Sequence, residues 1–352
     1  MADFSIGNRL RVTLFGQSHG PAIGCVIDGF PAGARIDWDQ VRAFMARRAP
    51  GQNAWSTPRK EGDVFEILSG LNENGLPCGA PIAIQIRNSN TRSQDYPDLH
   101  RFPRPGHADF AANLQSGDAW DIRGGGHFSA RLTAPLCFAG ALCMQVLAER
   151  GVYIAAHIAR IGDVFDDVPD TVDPSFPLYA SGDFPVLNPK RGEDMKREIE
   201  AARQAGDSVD GAVRCLVSGF PAGIGGPYFG GLESALARAL FAIPAVKGLQ
   251  FGDPQRRGSE NNDPIQYHGG AYTTVTNHCG GILGGISNGM PLVFTASFKP
   301  TPSIALPQRT VDMQAQTDAS LSLQGRHDPC VVPRAVPVVE AVAALVLADL
   351  LL

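Results

Sequence analysis

Apolar and polar positions along the chain predict a mixed protein of strands and helices. Alternating or β-branched apolar runs predict strands at residues 9–15, 24–28, 81–87, 152–160, 212–217 and 291–298. Apolar positions at helical spacing predict helices at residues 37–48, 132–150, 193–205, 232–242 and 335–351. Asp37, with Gln40 three positions later, has the capping-box pattern of a helix start.

One five-residue string occurs twice in matching contexts. The letters GFPAG stand at residues 29–33 and again at 219–223, each time after a predicted strand and before a predicted helix. Two related halves explain this repetition, as do chance and shared turn chemistry, and the sequence leaves these explanations open. No linker rich in proline, serine or charge divides the chain, so we expect a single domain over residues 1–352.

Composition narrows the class of protein. Hydrophobic residues make up 44% and charged residues 18% of the chain, which is typical of a soluble globular protein. The net charge of −5 argues against a nucleic-acid or membrane partner. Of the 30 basic residues only five are lysines. Arginine binds carboxylates and phosphates through paired hydrogen bonds, although a GC-rich genome produces the same excess.

Cysteines and the chain termini indicate the compartment. The seven cysteines form no C-x-x-C pair and mostly lie in apolar runs. We therefore expect buried thiols in a reducing cytoplasm, with neither a disulfide framework nor a metal site. The amino terminus lacks the apolar segment of a signal peptide. The apolar stretch at 331–352 contains Arg334, Glu340 and Asp349, so we expect a buried terminal helix.

Histidines, arginines and glycines occur together in three early segments. Residues 15–20 (FGQSHG) place His19 after a strand, where it is either a general acid or structural. Residues 101–109 (RFPRPGHAD) hold Arg104 and His107 in a stiff turn, which suits an anionic substrate or a solvated turn. Residues 123–131 (RGGGHFSAR) bring glycines and arginines to a helix start, which favours anion binding.

Two later segments have the same character. Residues 299–303 (KPTPS) follow a strand, and residues 324–329 (QGRHDP) precede the last helix. The run 326–328 is either an anion clamp beside a carboxylate base or a capped helix start. Together the five segments describe a site for a small molecule with several negative charges.

The motifs resemble those of the chorismate synthase family. The letters GQSHG (16–20), RPGHAD (104–109), GHFSAR (126–131), AVKG (245–248), GGILGGIS (280–287) and GRHDPC (325–330) match that family's signatures in order and spacing. The resemblance covers essentially the whole chain. Together with the predicted elements it implies an α+β fold: a layered sandwich of antiparallel sheets and helices with pseudo-duplicated halves.

The resemblance also implies an activity. Chorismate synthases are carbon–oxygen lyases that remove phosphate from 5-enolpyruvylshikimate 3-phosphate by 1,4-anti elimination, which gives chorismate at the end of the shikimate pathway. Reduced FMN is the implied cofactor, and it is needed without net redox change. A homotetramer, a cytoplasmic location and an external flavin reductase or reductant are implied too. Direct use of NADPH (the NADP cofactor pair) stays open.

Individual positions receive roles from the resemblance. The implied catalytic residues are His19 and His107, which handle protons at the flavin or the departing phosphate, and Asp328, which receives the C6 proton by way of flavin N5. The implied substrate-binding residues are Ser18, Arg42, Arg48, Arg104, Arg131 and Arg326. The implied cofactor-binding residues are His127, Phe128, Ser129, Pro244, Ala245, Gly284, Lys299, Pro300, Thr301, Pro302, Ser303 and Arg326.

The chain departs from the family pattern at four positions. Gln17 stands where glutamate is commonest, His127 and Phe128 where many members have arginine and serine, and Ala54 where many have arginine. These differences bear on flavin affinity and on any intrinsic flavin reductase activity. They leave two other functions open: a non-catalytic relative that binds flavin or anions, and an oxidoreductase that uses flavin for net hydride transfer.

Overall fold

The computed structural model describes residues 3–51, 55, 62–89, 98–169, 182–323 and 328–352. Within these ranges the strands are, in chain order, β1 (Ser5–Ile6), β2 (Arg11–Gly16), β3 (Ala22–Asp28), β4 (Phe65–Ser69), β5 (Ile82–Arg87), β6 (Tyr153–Ile161), β7 (Val164–Phe165), β8 (Gly211–Ser218), β9 (Val246–Phe251), β10 (Ile265–His268), β11 (Ala271–Thr274), β12 (Ile282–Leu283), β13 (Ile286–Ser287), β14 (Leu292–Phe298), β15 (Gln308–Asp312) and β16 (Thr317–Leu321). The α-helices are α1 (Trp38–Arg48), α2 (Asp109–Ser116), α3 (Thr133–Ala148), α4 (Pro189–Gln204), α5 (Leu232–Leu240), α6 (Gly258–Asn261) and α7 (Val332–Leu351).

Two antiparallel sheets form the framework. The first has the strand order β1-β2-β3-β5-β4, and the second has the order β7-β6-β8-β14-β9. Register pairs Cys25 of β3 with Ile84 of β5 in the first sheet, and Cys215 of β8 with Phe294 of β14 in the second. All four of these side chains are buried, and residues paired across neighbouring strands share one face of their sheet. In the described ranges three two-stranded hairpins, β10-β11, β12-β13 and β15-β16, lie outside the sheets.

A layer of helices lies between the sheets. Helix α3 contacts β2, β3 and β5 of the first sheet, α7 contacts β6 and β8 of the second, and the two helices contact each other. A Cβ built at Gly140 of α3 would lie 2.3 Å from the Cβ of Ala341 in α7, so glycine permits this close approach. The segment Ala130–Ala148 is long and apolar enough to cross a membrane, but 78% of its most apolar window is buried, as in a core helix.

The two halves of the chain share one topology. In each half, two antiparallel strands (β2 and β3, or β6 and β8) lead into the GFPAG turn, a helix (α1 or α5), an edge strand (β4 or β9), a central strand (β5 or β14) and a long buried helix (α3 or α7). Gly29 and Gly219 have φ of 75° and 73°. A Cβ at these two positions would lie 1.8 and 2.0 Å from a backbone oxygen. The predicted pseudo-duplication is confirmed in the topology.

Equivalent ends of the two sheets carry the candidate residues. In the first sheet β5 ends at Arg87, which pairs with Ala22 at the start of β3. In the second sheet β14 ends at Phe298, which pairs with Gly211 and Val246 at the starts of β8 and β9. We call these edges the loop ends of the sheets. The turn between β2 and β3 and the segments after β5 and β14 all leave from them.

The predicted elements are present with shifted boundaries. All the strands and helices predicted from periodicity occur, and the α+β class is confirmed. Asp37 caps α1, because its side chain accepts from the backbone N–H of Asp39 and of Gln40. The sequence analysis did not predict the edge strands β4 and β9 or the three hairpins. Five of the seven cysteines are buried as expected; the expectation is wrong for Cys78, which is exposed, and for Cys279, which is half-buried.

Candidate active site

Consecutive glycines pack against two predicted histidines. Gly124 and Gly125 have φ of 62° and 85°, a backbone region that side chains disfavour. A Cβ at Gly124 would lie 2.2 Å from the His19 ring, and one at Gly125 would lie 3.2 Å from the His107 ring. The glycine loop therefore brings His19 and His107, which are far apart in sequence, to one place.

Arg104, His107 and Asp109 form a buried ion-pair cluster at the start of α2. Arg104 donates to both carboxylate oxygens of Asp109, from Nε at 2.6 Å and from Nη2 at 2.9 Å. Its Nη1 donates to Ser303 Oγ at 3.2 Å. His107 Nδ1 lies 2.6 Å from Asp109 Oδ1 and 3.1 Å from Arg104 Nη2. The guanidinium and the imidazole stand side by side, as the stiff turn predicts.

Asp63 joins two arginines from distant segments. One of its carboxylate oxygens accepts from Arg48 Nη1, and the other accepts from Arg131 Nη1. Arg48 Nε also donates to Thr133 Oγ1 at 3.2 Å, and Arg131 Nε donates to Asn88 Oδ1 at 3.1 Å. The Asp63 side chain is 0% exposed, and each arginine is 4% exposed. The three charges therefore interact with little screening by solvent.

Backbone contacts connect this trio to the histidines. Asn88 follows β5, and its Nδ2 donates to the carbonyl oxygens of Gln17 at 3.0 Å and Gly20 at 2.8 Å. In the same β2–β3 turn, Ser18 N donates to the carbonyl oxygen of Gly126 at 3.0 Å. The turn that carries His19 is thus fixed between Asn88 and the glycine loop.

Arg334 joins the last helix to the same network. Arg334 Nη1 donates to Asp328 Oδ2 at 2.5 Å, and its Nε donates to the carbonyl oxygen of Arg48 at 3.1 Å. Arg334 therefore bridges the predicted proton acceptor, Asp328, and the predicted substrate-binding residue Arg48. We call these neighbouring groups the guanidinium network; Arg104 and Asp109 adjoin the others through the glycine loop rather than through a hydrogen bond among the described residues. Its charged members are Arg48, Asp63, Arg104, Asp109, Arg131, Asp328 and Arg334.

Aromatic rings flank the glycine loop. The His127 ring lies 4.3 Å from the Phe128 ring and 5.7 Å from the Phe4 ring. Trp120 lies 5.7 Å from Phe128 in an edge-to-face arrangement. Phe128 is partly exposed, so this aromatic surface is available to a planar ligand.

Two buried hydroxyls beside the network have spare hydrogen-bonding capacity. Lys299, the first residue after β14, donates from Nζ to the carbonyl oxygen of Gly106 and from its backbone N–H to Ala245 O at 2.9 Å. Thr301 Oγ1, in the segment that Lys299 begins, is buried and has no hydrogen-bond partner among the described residues. The same holds for Ser18 Oγ. These two hydroxyls are therefore available to a ligand.

The remaining predicted cofactor positions adjoin these groups. Ser129 Oγ accepts from a backbone N–H two residues later at 3.3 Å, at the turn before α3. Pro302 lies 3.4 Å from a Cβ built at Gly106. Pro244 precedes Ala245 and Pro300 follows Lys299, and these two residues are joined by the backbone hydrogen bond from Lys299 to Ala245. The segment from 299 to 303 therefore lies along the turn that holds the ion-pair cluster.

Burial and ion pairs shift the pKa of three groups. Burial lowers the pKa of His107 and the Arg104 charge lowers it further, against the opposing effect of Asp109. His107 is therefore neutral at neutral pH, and its bond to Asp109 assigns the proton to Nδ1. Burial alone would raise the pKa of Asp109 and of Asp63. Hydrogen bonds and charges from their arginine partners outweigh burial, so both carboxyl pKa values lie below their usual range.

Some predicted residues are not joined to the network. Arg42 is exposed on α1 and pairs with Asp39 at 2.7 Å. Gly284 occupies the turn between β12 and β13, with open space around the position of a Cβ. Arg326 and Ala54 lie outside the described residues. The roles given to Arg42, Gly284 and Arg326 stay predictions.

Sequence reasoning missed several members of the network. Asp63, Asn88 and Arg334 received no role, and Asp109 was noted only as the end of a motif. A sequence signal existed for Asp109, which stands two residues after His107 at a helix start. Arg334 was visible only as a charge that interrupts an apolar helix.

The arrangement is suited to binding an anion and accepting a proton. Among the described residues the network brings four guanidinium groups together with three carboxylates, Asp63, Asp109 and Asp328. Fixed guanidinium groups bind carboxylates and phosphates with little loss of side-chain entropy. Asp328 adds a carboxylate base beside them.

Comparison with known proteins identifies the same family from the whole chain. The chorismate synthase family model matches residues 10–352. The chorismate synthase of Lancefieldella parvula is 41% identical over 368 residues, which cover 100% of this chain and 97% of that protein. The chorismate synthase of Thermococcus gammatolerans is 45% identical over 350 residues, which cover 98% of this chain and 97% of that protein. A crystal structure of chorismate synthase aligns with a TM-score of 0.75 at 26% identity, over 98% of this chain and 92% of that chain.

The Asp109 cluster predicts a pH-dependent stability. Because the folded pKa of Asp109 lies below its unfolded value of about 3.9, its ion pair stabilises the protein above that pH and is lost as pH falls through the folded pKa. We expect Asp109→Asn to lower the free energy of unfolding by about 3 kcal/mol at pH 7, and by progressively less below pH of about 4. Urea unfolding across this range measures the difference, and a gap that is independent of pH would contradict the assignment.

Proposed function

The chain belongs to the chorismate synthase family, and we propose that its guanidinium network binds 5-enolpyruvylshikimate 3-phosphate. Members of this family are lyases that act in the shikimate pathway to aromatic amino acids. The observation that carries the proposal is that the glycine loop brings two arginine groups together. Gly125 packs against Arg104 and His107, and Gly126 bonds to the β2–β3 turn, which Asn88 ties to Arg131. Asp63 joins Arg131 to Arg48, and Arg334 joins Arg48 to Asp328. The ester has two carboxylates and one phosphate, which paired guanidinium donors recognise.

Substrate binding involves six residues in this proposal. Ser18, with its unpartnered buried hydroxyl, donates to one oxygen of the ester. The three buried arginines hold the carboxylates and the phosphate. Arg42 and Arg326 complete the set on the family resemblance alone.

The chain's own groups move the proton and the phosphate. Elimination breaks the bond between carbon and the phosphate oxygen and removes a proton from C6, and Asp328 receives that proton. His107 is neutral before substrate binds, and the negative charge of the departing phosphate raises its pKa, so that it becomes a hydrogen-bond donor to that phosphate. His19, against the glycine loop, holds a proton at the flavin or at the departing phosphate, as the family resemblance implies. The arginines stabilise charge on the leaving group.

Reduced FMN is the proposed cofactor, and the residues present fit it. Thr301 Oγ1 is a buried hydroxyl without a partner in the described part of the chain, and the rings of His127 and Phe128, inclined at 40° to each other, offer aromatic faces for contact with the flavin. When bound, reduced FMN supplies electron density that weakens the carbon–oxygen bond and recovers it afterwards, without net redox change. The residues that hold it are His127, Phe128, Ser129, Pro244, Ala245, Gly284, Lys299, Pro300, Thr301, Pro302, Ser303 and Arg326.

The same proposal extends to the oligomeric state, the cellular location and the source of reduced flavin. We propose a homotetramer, and exposed aromatic side chains such as Phe229, which is 99% exposed, support further burial between subunits. Unpaired cysteines support a reducing, cytoplasmic location. An external reductase or reductant supplies the reduced flavin. The chain acts as a single domain over residues 1–352.

Anaerobic turnover tests the activity. With chemically reduced FMN and the enolpyruvyl ester, we expect one phosphate released per chorismate formed, while the flavin spectrum stays that of the reduced form. A protein that binds both molecules but releases no phosphate would be a non-catalytic relative. Flavin oxidised in proportion to product would instead indicate an oxidoreductase.

Asp328→Ala tests the proton acceptor. We expect kcat to fall about 100-fold or more, while the dissociation constants of the ester and of FMN change little. Asp328→Asn, which keeps a hydrogen-bond acceptor for Arg334, should lose activity to the same extent. Asp318→Ala, which removes an exposed carboxylate from β16, is the control. Near-normal turnover of both Asp328 variants would remove this residue from the mechanism.

A further inference from the structure

Asp63 contacts two of the buried arginines that the proposed function assigns to the substrate, Arg48 and Arg131. We propose that Asp63 is a positioning residue, which holds Arg48 and Arg131 in the orientation that receives the anionic groups of the substrate. This inference rests on the proposed function and deepens it. Asp63 precedes β4 at the loop end of the first sheet.

The backbone at Asp63 is unusual. Its φ of 46° lies in the left-handed region, which is uncommon for residues with a side chain. Such a conformation persists only where the surroundings fix it. Here the carboxylate is completely buried and holds one arginine on each oxygen. The local strain is thus compensated by two ion pairs, which is typical of a functional site.

One carboxylate is needed because two guanidiniums stand close together. Arg48 comes from the end of α1 and Arg131 from the turn before α3, and both are buried. Without an anion between them, the like charges would repel each other in a poorly solvated place. Asp63 lies between the two charges and accepts from one arginine on each oxygen. Thr133 and Asn88 accept from the Nε atoms and fix the planes of both guanidiniums.

Arg334 couples this pair to the proposed proton acceptor. It donates from Nε to the Arg48 carbonyl oxygen and from Nη1 to Asp328. An arginine pair displaced by loss of Asp63 would therefore present the ester to Asp328 in an altered position. The misplaced arginines would bind the ester more weakly, and the misplaced ester would also react more slowly.

A competing explanation predicts the opposite sign. If the Asp63 carboxylate merely occupies the place of a substrate carboxylate, its removal frees two guanidiniums and strengthens substrate binding. Asp63→Asn discriminates between the two explanations, because asparagine has nearly the same shape and tolerates the left-handed region. Asp63→Glu retains the charge but displaces it, and it serves if the neutral variant folds poorly.

The test measures substrate affinity without relying on turnover. Calorimetric titration of the enolpyruvyl ester into the full chain, with no flavin added, gives the dissociation constant for wild type, Asp63→Asn and Asp63→Glu. We expect both variants to bind the ester about tenfold more weakly or worse. Asp166→Asn, which removes another fully buried carboxylate paired with His157 in the second sheet, is the matched control and should bind as wild type does.

A double-variant cycle separates positioning from general destabilisation. Because Asp63 acts through Arg48, adding Asp63→Asn to Arg48→Gln should weaken binding less than it does in the wild-type background. Unchanged or tighter binding by Asp63→Asn, or full additivity in the cycle, would overturn the inference. Failure of the wild-type chain to bind the ester would instead overturn the proposed function itself.

Discussion

The structure depends on compensating positive charge that is buried away from water. Arg48 and Arg131 share the Asp63 carboxylate, and Arg104 binds both oxygens of Asp109. Unpaired, each of these guanidiniums would cost several kcal/mol to bury. Internal carboxylates remove most of that cost and fix the direction of the remaining donors. The site is therefore rigid and positive before any ligand arrives, which is the condition for binding a multiply charged ester tightly.

The duplicated architecture explains why such distant residues meet. The β2–β3 turn and Asn88 leave the loop end of the first sheet, and Lys299 leaves the equivalent loop end of the second. The segments before the edge strands β4 and β9 both contain a residue with a side chain at positive φ, Asp63 at 46° and Ala245 at 75°. Equivalent positions in the two halves thus face one shared region, in which the first half supplies charge and the second supplies the 299–303 segment. The long buried helices α3 and α7 begin beside it.

Periodicity predicted most of the scaffold, and local motifs predicted part of the site. The central strands and long helices have strong apolar patterns, and the segments around His19, His107 and Gly124 contain their chemistry within a few residues. The edge strands β4 and β9 were missed because Val246 is the only fully buried residue in either strand, so their apolar signal is weak. Asp63 and Asn88 were missed because their partners lie in other segments, and only the folded chain brings them together. Arg334 was hidden within an apolar helix, and its function became visible only through its bonds to Asp328 and Arg48.

A crystal structure of the chain with the enolpyruvyl ester and FMN would show whether the guanidinium network receives the ester. We expect ester oxygens within hydrogen-bonding distance of Arg48, Arg104 and Arg131, with the Asp328 carboxylate on the side of the C6 hydrogen. An ester bound elsewhere on the protein, with no contact to these three arginines, would rule out the network as the substrate site.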